Sequence, residues 1–349
     1  MYQFIRLLSL VLLASCSPSK DIHYEKSITA HEDDLIDPYL KVTKQRNNSI
    51  LLLLPISGRN ESIGRGILNA CFLATDDSHD IDFYVVDTDD TSIEKHALYD
   101  QFRNKRLRAI IGPVFSNKTK QYGALFPQIP VLSFSNNLGI NGDHVFACGL
   151  SLQDEIRALF SYAHKQNIDS FLIILPNGEL GNQVLEIINS ELKKYGLCEG
   201  DDFEIIRYTS MSMEAATKYA KNSNKKAVFV INPILNINQL EDMIVFTISS
   251  VALSNKEAWD DAVFAFSDNS EQQDFVQKYQ SIFGTQPTIL DIIAYDLMKI
   301  AKNSINSEKS IAGSDYDGCL GEFSISKKSG LTRKLQVFRL KNSEKIDLE

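Results

Sequence analysis

From Ile50 onward, short apolar runs alternate with amphipathic stretches, and the alternation sets the expected architecture. Largely apolar runs of three to six residues predict strands at Ile50–Leu54, Ile81–Val86, Ala109–Ile111 and Val131–Phe134. A second series predicts strands at Phe171–Leu175, Phe203–Tyr208, Ala227–Ile231 and Val263–Phe266. Helical spacing fills the gaps at Ile63–Thr75, Thr91–Arg103, Lys118–Phe126, Gln153–Gln166, Leu180–Tyr195 and Met213–Ser223. Strands that are apolar on both faces belong to parallel sheets covered on both sides by helices. Two such series predict an α/β protein with two doubly wound parallel-sheet lobes.

The rhythm changes near the end. Helices predicted at Gln272–Phe283 and Ile289–Ser304 follow one another without a strand. Gly321–Ile325 and Leu335–Leu340 then read as a hairpin turning at Ser329-Gly330. A chain that returns from one series to complete the other crosses between lobes several times, which makes a hinge and a closing cleft. The expected division is 49–150 plus 270–312 for one lobe and 151–269 plus 313–349 for the other.

The first 48 residues lack this pattern. Met1–Arg6 carries one positive charge, and Leu7–Ala14 is an apolar run too short for a bilayer, which needs about 20 residues. It fits the core of an export signal. Leu13-Ala14-Ser15-Cys16 resembles the bacterial lipoprotein cleavage box, which implies an acylated Cys16 after a signal peptide of residues 1–16. Ser17 after that cysteine resembles the sorting preference for the outer membrane. Polar residues 17–48 read as a flexible tether spanning roughly 30 Å.

The net charge of -9 at pH 7 disfavours nucleic acid as a partner. Cys71, Cys148, Cys198 and Cys319 admit three pairings in an oxidising compartment. Their apolar neighbourhoods favour buried free thiols instead. No cofactor is implied. Gly112–Thr119 departs from a phosphate loop at Asn117, where a glycine must let the backbone curl around phosphate. The acidic run Asp76–Asp90 lacks the turn glycine and closing carboxylate of a calcium loop, and the six histidines have no zinc spacing. No Gly-x-Ser-x-Gly elbow is present, and an enzyme is not expected.

Four places carry a family resemblance. They are Leu54-Pro55-Ile56-Ser57-Gly58 with Ile63-Gly64-Arg65-Gly66; Ile110–Ser116 with Ile129–Ser135; Tyr279–Gly284 with Pro287 and Ala294-Tyr295-Asp296; and Tyr316-Asp317-Gly318 with Gly321. The chain resembles the type I periplasmic binding proteins of the leucine/isoleucine/valine-receptor type from about Ser49 to Ile346. The quick passage from Asn69 to Ile81 and the loop Ser133-Phe134-Ser135-Asn136-Asn137 are similar to the branch of penicillin-binding protein activators, lipoproteins that stimulate peptidoglycan synthases. One departure is Leu180, which stands where amino-acid receptors of the family place a ligand-closing tyrosine.

In open parallel sheets a ligand sits beyond the carboxyl ends of the strands. That rule selects Ser57, Ser116, Asn117, Ser133, Ser135 and Asn136 as ligand-binding candidates, with Glu179 and Asp268 as acidic clamps. Ser116 and Asn117 would open a helix whose free N–H groups favour a carboxylate. Ser and Asn also serve as ordinary caps. The expected partners are a small molecule in the cleft (an amino acid, a carboxylate or a muropeptide), a membrane reached through the lipid, and a penicillin-binding protein. The alternative is a solute receptor serving an ABC permease.

Overall fold

The structure, a computed structural model, describes residues 48–75, 81–92, 95–209, 213–231, 240, 243–267 and 269–348. Cys16, the signal segment, the tether and Asp268 lie outside the described residues. The first sheet is five-stranded and parallel: β1 (Asn48–Leu54), β2 (Ile81–Asp87), β3 (Leu107–Ile111), β4 (Val131–Ser133) and β5 (Val145–Ala147), in the order β2-β1-β3-β4-β5. Alternation along β1 explains why it is apolar throughout. Ile50, Leu52 and Leu54 enter one core, while Leu51 and Leu53 enter another with Leu98, Phe102, Tyr122 and Phe126. The first core is closed by α1 (Glu61–Thr75), and the second by α2 (Lys95–Phe102) and α3 (Ser116–Gly123). Gly112 has φ 97°, and a Cβ there would collide with the carbonyl of Leu53, so β3 leaves the sheet through a glycine.

The second sheet repeats the plan. Its parallel strands are β6 (Phe171–Pro176), β7 (Phe203–Tyr208), β8 (Ala227–Val230), β9 (Ile244–Phe246) and β10 (Val263–Phe266), running β7-β6-β8-β9-β10. The covering helices are α4 (Leu152–Lys165), α5 (Glu179–Lys194), α6 (Met213–Lys221) and a single turn, α7 (Ser249–Ala252). Phe160, Phe171, Phe229 and Phe246 form an aromatic centre with ring separations of 5.1 Å, 5.9 Å and 6.2 Å, and Trp259 is fully buried. The two expected doubly wound sheets are therefore present.

After β10 the chain returns. α8 (Ser270–Phe283) ends at Gly284 in the left-handed region, and α9 (Ile289–Ser307) starts on a reciprocal Thr288–Asp291 capping box. Both pack on α1: Tyr279 donates to the Gly66 carbonyl, Lys302 to the Ala74 carbonyl, and a Cβ at Gly66 would lie 2.6 Å from the Asp291 carboxylate.

The C-terminal hairpin differs from expectation. β11 (Ser314–Gly318), β12 (Gly321–Ser326) and β13 (Gly330–Arg333) form a separate antiparallel sheet in which β12 pairs with β13 across the expected turn. β14 (Gln336–Lys341) does not pair with β12. It runs antiparallel to β10 and carries β15 (Glu344–Asp347) on its outer edge. Val337 on one face of β14, and Phe338 and Leu340 on the other, are buried in the core around the second sheet. All four described cysteines are free; Cys71, Cys148 and Cys319 are buried, whereas Cys198 is exposed, contrary to the sequence expectation. Cys198 lies in the turn after α5, its Sγ 3.9 Å from the Gly196 carbonyl.

Candidate functional site

The residues singled out from sequence fall into three groups. Ser116, Asn136 and Glu179 line one cavity of about 430 Å³. Ser57, Asn117, Ser133 and Ser135 do not line it. Asp268 lies outside the described residues.

Ser133 is fully buried at the end of β4. Its hydroxyl donates to the Pro113 carbonyl at 2.9 Å, accepts from the Ser135 N–H at 3.2 Å and lies 2.7 Å from the Thr119 hydroxyl. It braces the loop and has no capacity left for a ligand. The Ser135 hydroxyl accepts from the Asn137 N–H at 3.1 Å, and Asn137 in turn accepts from the Gly139 N–H, which holds the loop in a short 3-10 turn over Leu138–Ile140. Asn117 is exposed and its side chain accepts from the Lys118 N–H. Ser57 is exposed ahead of the 3-10 turn Gly58–Asn60 and makes no capping bond.

The cavity opens between the two sheets' helical layers. One wall is the start of α3 (Ser116) and the loop Asn136–Gly139 after β4. The other is the start of α4, at Ser151, Leu152 and Gln153, and the first two turns of α5. On α5, Glu179, Gln183, Glu186 and Ile187 are spaced i, i+4, i+7 and i+8, so they share one face. The opposite face of α5 is its buried stripe of Val184, Ile188 and Leu192. Gly181 makes the helix start close to β6, because a Cβ there would strike the Pro176 carbonyl.

The two walls differ in charge. The first wall supplies uncharged hydroxyl and amide groups alone, while the second adds the carboxylates of Glu179 and Glu186 to the polar groups of Ser151, Gln153 and Gln183. Among the described residues neither lysine nor arginine lines the cavity, and neither does an aromatic ring. Lys118, the cation nearest in sequence to Ser116, is turned away to the Thr88 carbonyl at 2.8 Å. The Lys118 N–H is held by the Asn117 side chain and Phe115 at the N-cap makes no capping bond, so the N–H groups of Ser116 and Asn117 are left for an acceptor from outside. Ser116, Asn136 and Glu186 make no side-chain hydrogen bond among the described residues. Such walls can hold a polar ligand or segment whose positive or N–H-rich side meets α5 and whose acceptor side meets α3.

Sequence reasoning passed over Gln183, Glu186, Ser151 and Gln153. The first two were within reach, since counting four and seven residues on from Glu179 selects them. Ser151 and Gln153 were not, because the rule of strand carboxyl ends does not find a helix entered from the interlobe crossing. Among the described residues no group of three or more His, Cys, Asp or Glu is arranged for a metal, and no helix is long and apolar enough to cross a membrane.

The family model described as "LppC putative lipoprotein" matches residues 34–208. No curated protein matches the sequence. Among solved structures, a "putative branched-chain amino acid ABC transporter" from Rhodospirillum rubrum is similar at 14% identity and a TM-score of 0.75, covering 86% of this chain and 100% of that one. The C-domain of LpoA from Haemophilus influenzae, described as a regulator of PBP1A, is similar at 17% identity and a TM-score of 0.69, covering 86% of this chain and 100% of that one. A leucine-binding protein, LivK, from Thermotoga maritima is similar at 15% identity and a TM-score of 0.59, covering 86% and 98%. These likenesses establish the type I periplasmic binding protein fold.

Proposed function

Because the chain belongs to the LppC lipoprotein family, we propose that it is a non-enzymatic periplasmic protein, lipid-anchored through Cys16, that regulates cell-wall synthesis by binding a penicillin-binding protein. We assign 49–150 plus 270–312 and 151–269 plus 313–349 to its two lobes, with the anchor in the inner leaflet of the outer membrane. The observation that carries the reading is the character of the cleft. Small-molecule sites are mostly apolar and aromatic with a few placed polar groups, whereas among the described residues this one is lined mainly by amides, hydroxyls and carboxylates, with Leu138, Leu152 and Ile187 as its only large apolar side chains and no aromatic residue. The likeness to the LpoA C-domain, which this chain covers completely, supports the same reading; of full-length LpoA it covers 59%.

A second reading, a solute receptor delivering to an ABC permease, is supported by the likeness to the Rhodospirillum rubrum protein and by the two-walled cavity. Under that reading Glu179 and Glu186 select a ligand carrying an ammonium group, such as an amino acid or a muropeptide, over a simple carboxylate. Affinity capture from detergent-solubilised membranes of the source bacterium, probed with labelled penicillin, separates the two. Recovery of a penicillin-binding protein is expected. Its absence with folded bait, together with a thermal shift from one solute, would transfer the assignment to the receptor.

A further inference from the structure

Arg103, Lys105, Arg106 and Arg108 make the densest basic run in a chain whose net charge is -9. The fold fixes where they project. Phe102 ends α2 and Leu107 starts β3, and both are buried in the smaller core of the first sheet. The chain between them has to turn outside that core, and Arg103, Asn104, Lys105 and Arg106 are all exposed. Arg108 is exposed as well, at the β3 position between buried Leu107 and Ala109. Arg106 has φ 48°, a left-handed conformation that glycine or asparagine adopts at less cost, yet an arginine stands there. Lys105 carries its ammonium 5.4 Å from the centre of the Tyr84 ring, on the outer strand β2. Asp100, in the last turn of α2, lies 3.4 Å from Arg103. The run itself contains no carboxylate, so positive charge remains in excess along it.

Two bonds tie this run to the start of β1. The Ser49 N–H donates to the Arg106 carbonyl at 3.1 Å, and the Ser49 hydroxyl donates to the Lys105 carbonyl. The polar segment that leads from Cys16 therefore joins β1 directly beside the four cations. The cleft belongs to the other end of the same strand. β3 rises about 3.3 Å per residue, so Arg106 and Gly112 stand roughly 20 Å apart, and Ser116 of the cleft wall follows beyond Gly112.

We propose that this basic end of the first lobe is a docking surface for anionic phospholipid headgroups of the membrane that carries the anchor. The proposal rests on the reading of Cys16 as a lipid anchor and on nothing that the cleft holds. Position selects a membrane as the partner: a tether spanning roughly 30 Å ends at the run's own bonded neighbour, Ser49. Each cation at an anionic bilayer surface strengthens attraction about fivefold, within a Debye length of about 10 Å at 0.1 M salt. A lobe docked in this way turns its cleft away from the headgroups.

Cosedimentation of the full chain carrying Cys16→Ser, which removes the acyl group, reads the surface alone. Vesicles of phosphatidylcholine are compared with vesicles containing a third phosphatidylglycerol. The ratio of the two partition coefficients is expected to be about tenfold or more at about 0.1 M salt, and to approach one at about 0.5 M. Arg103→Gln, Lys105→Gln, Arg106→Gln and Arg108→Gln together are expected to bring the ratio near one at the lower salt. All four side chains are exposed, so the fold is retained. A ratio near one for the protein without these four changes overturns the proposal, with no variant of the run having to fold. Asp76, Asp77 and Asp80, which precede β2 outside the described residues, would then offset the run. A high ratio that survives in the fourfold variant overturns it equally, and its fall with Lys41→Gln, Lys44→Gln and Arg46→Gln would move the binding to the tether. The mass of the mature chain's Cys16 tests the anchor separately, so failure of one reading is distinguished from failure of the other.

Discussion

The two large sheets share a strand order in their parallel parts, with the first strand second from the edge, but they are completed differently. The first stops at five strands and borrows α8 and α9, from more than 100 residues later in the chain, to cover the core face of β1. The second continues past β10 through β14 and β15, which arrive antiparallel from the C-terminus. A duplicated α/β plan therefore does not give two independent halves, because each is finished by a segment that has passed through the other. The cleft inherits the asymmetry: the first lobe faces it with uncharged polar groups alone, and the second adds two carboxylates.

If the lobes share one cooperative unit, damage to either core should lower one common unfolding transition. Phe229→Ala in the aromatic centre of the second sheet is expected to cost roughly 3–5 kcal/mol, and Leu51→Ala in the smaller core of the first roughly 2–5 kcal/mol. Calorimetry reads both. Two separated transitions in either variant would show that the crossings do not couple the lobes.

A pH effect belongs to the second lobe. Glu155, buried at the start of α4 with Ser249 N–H at 2.6 Å, has its carboxyl pushed up to about 7 by desolvation, against which the Ser249 bonds act. A raised folded-state value means the folded protein holds the proton more tightly than the unfolded chain. The associated stability is complete below the unfolded value near 4.5 and is lost as pH rises through about 7. Glu155→Gln should flatten that stretch of the stability curve by up to roughly 3 kcal/mol. Denaturant titrations from pH 4 to 8 that show equal slopes for both proteins would contradict it.

In the first lobe the corresponding weak point is backbone. Gly112→Ala must place a Cβ against the Leu53 carbonyl at φ 97°, and a loss of about 1–3 kcal/mol is expected in the unfolding midpoint. The smallest effect on stability should come from the cleft. Glu179→Gln with Glu186→Gln alters exposed side chains and is expected to stay within about 0.5 kcal/mol of the parent. The same double variant should weaken binding of whatever the cleft holds by several-fold, as seen by calorimetric titration with the captured partner.

Much of this architecture is legible in the chain. Ile50–Leu54, Phe171–Leu175 and Val263–Phe266 are apolar at every position, and only burial on both faces explains that. The three-residue strands β5 and β9 have too few positions to show a period. The destination of β14 was hidden for a different reason: the apolar residues of Leu335–Leu340 say that the strand is buried, not in which sheet. Within the site, Ser116 and Asn136 follow from strand ends, and Glu186 from the helical period once Glu179 is placed. Ser133 reads the same as Ser135 in sequence, and only the packing of Thr119 and Pro113 around it reveals a brace.

The most direct test of the regulatory role is the rate of glycan-strand synthesis by a purified penicillin-binding protein from the same membrane, measured with and without the full chain. A several-fold rise that is lost with Glu179→Gln and Glu186→Gln together is the predicted result. An unchanged rate, with the chain folded and a single amino acid or muropeptide raising its unfolding temperature by several degrees, would contradict it.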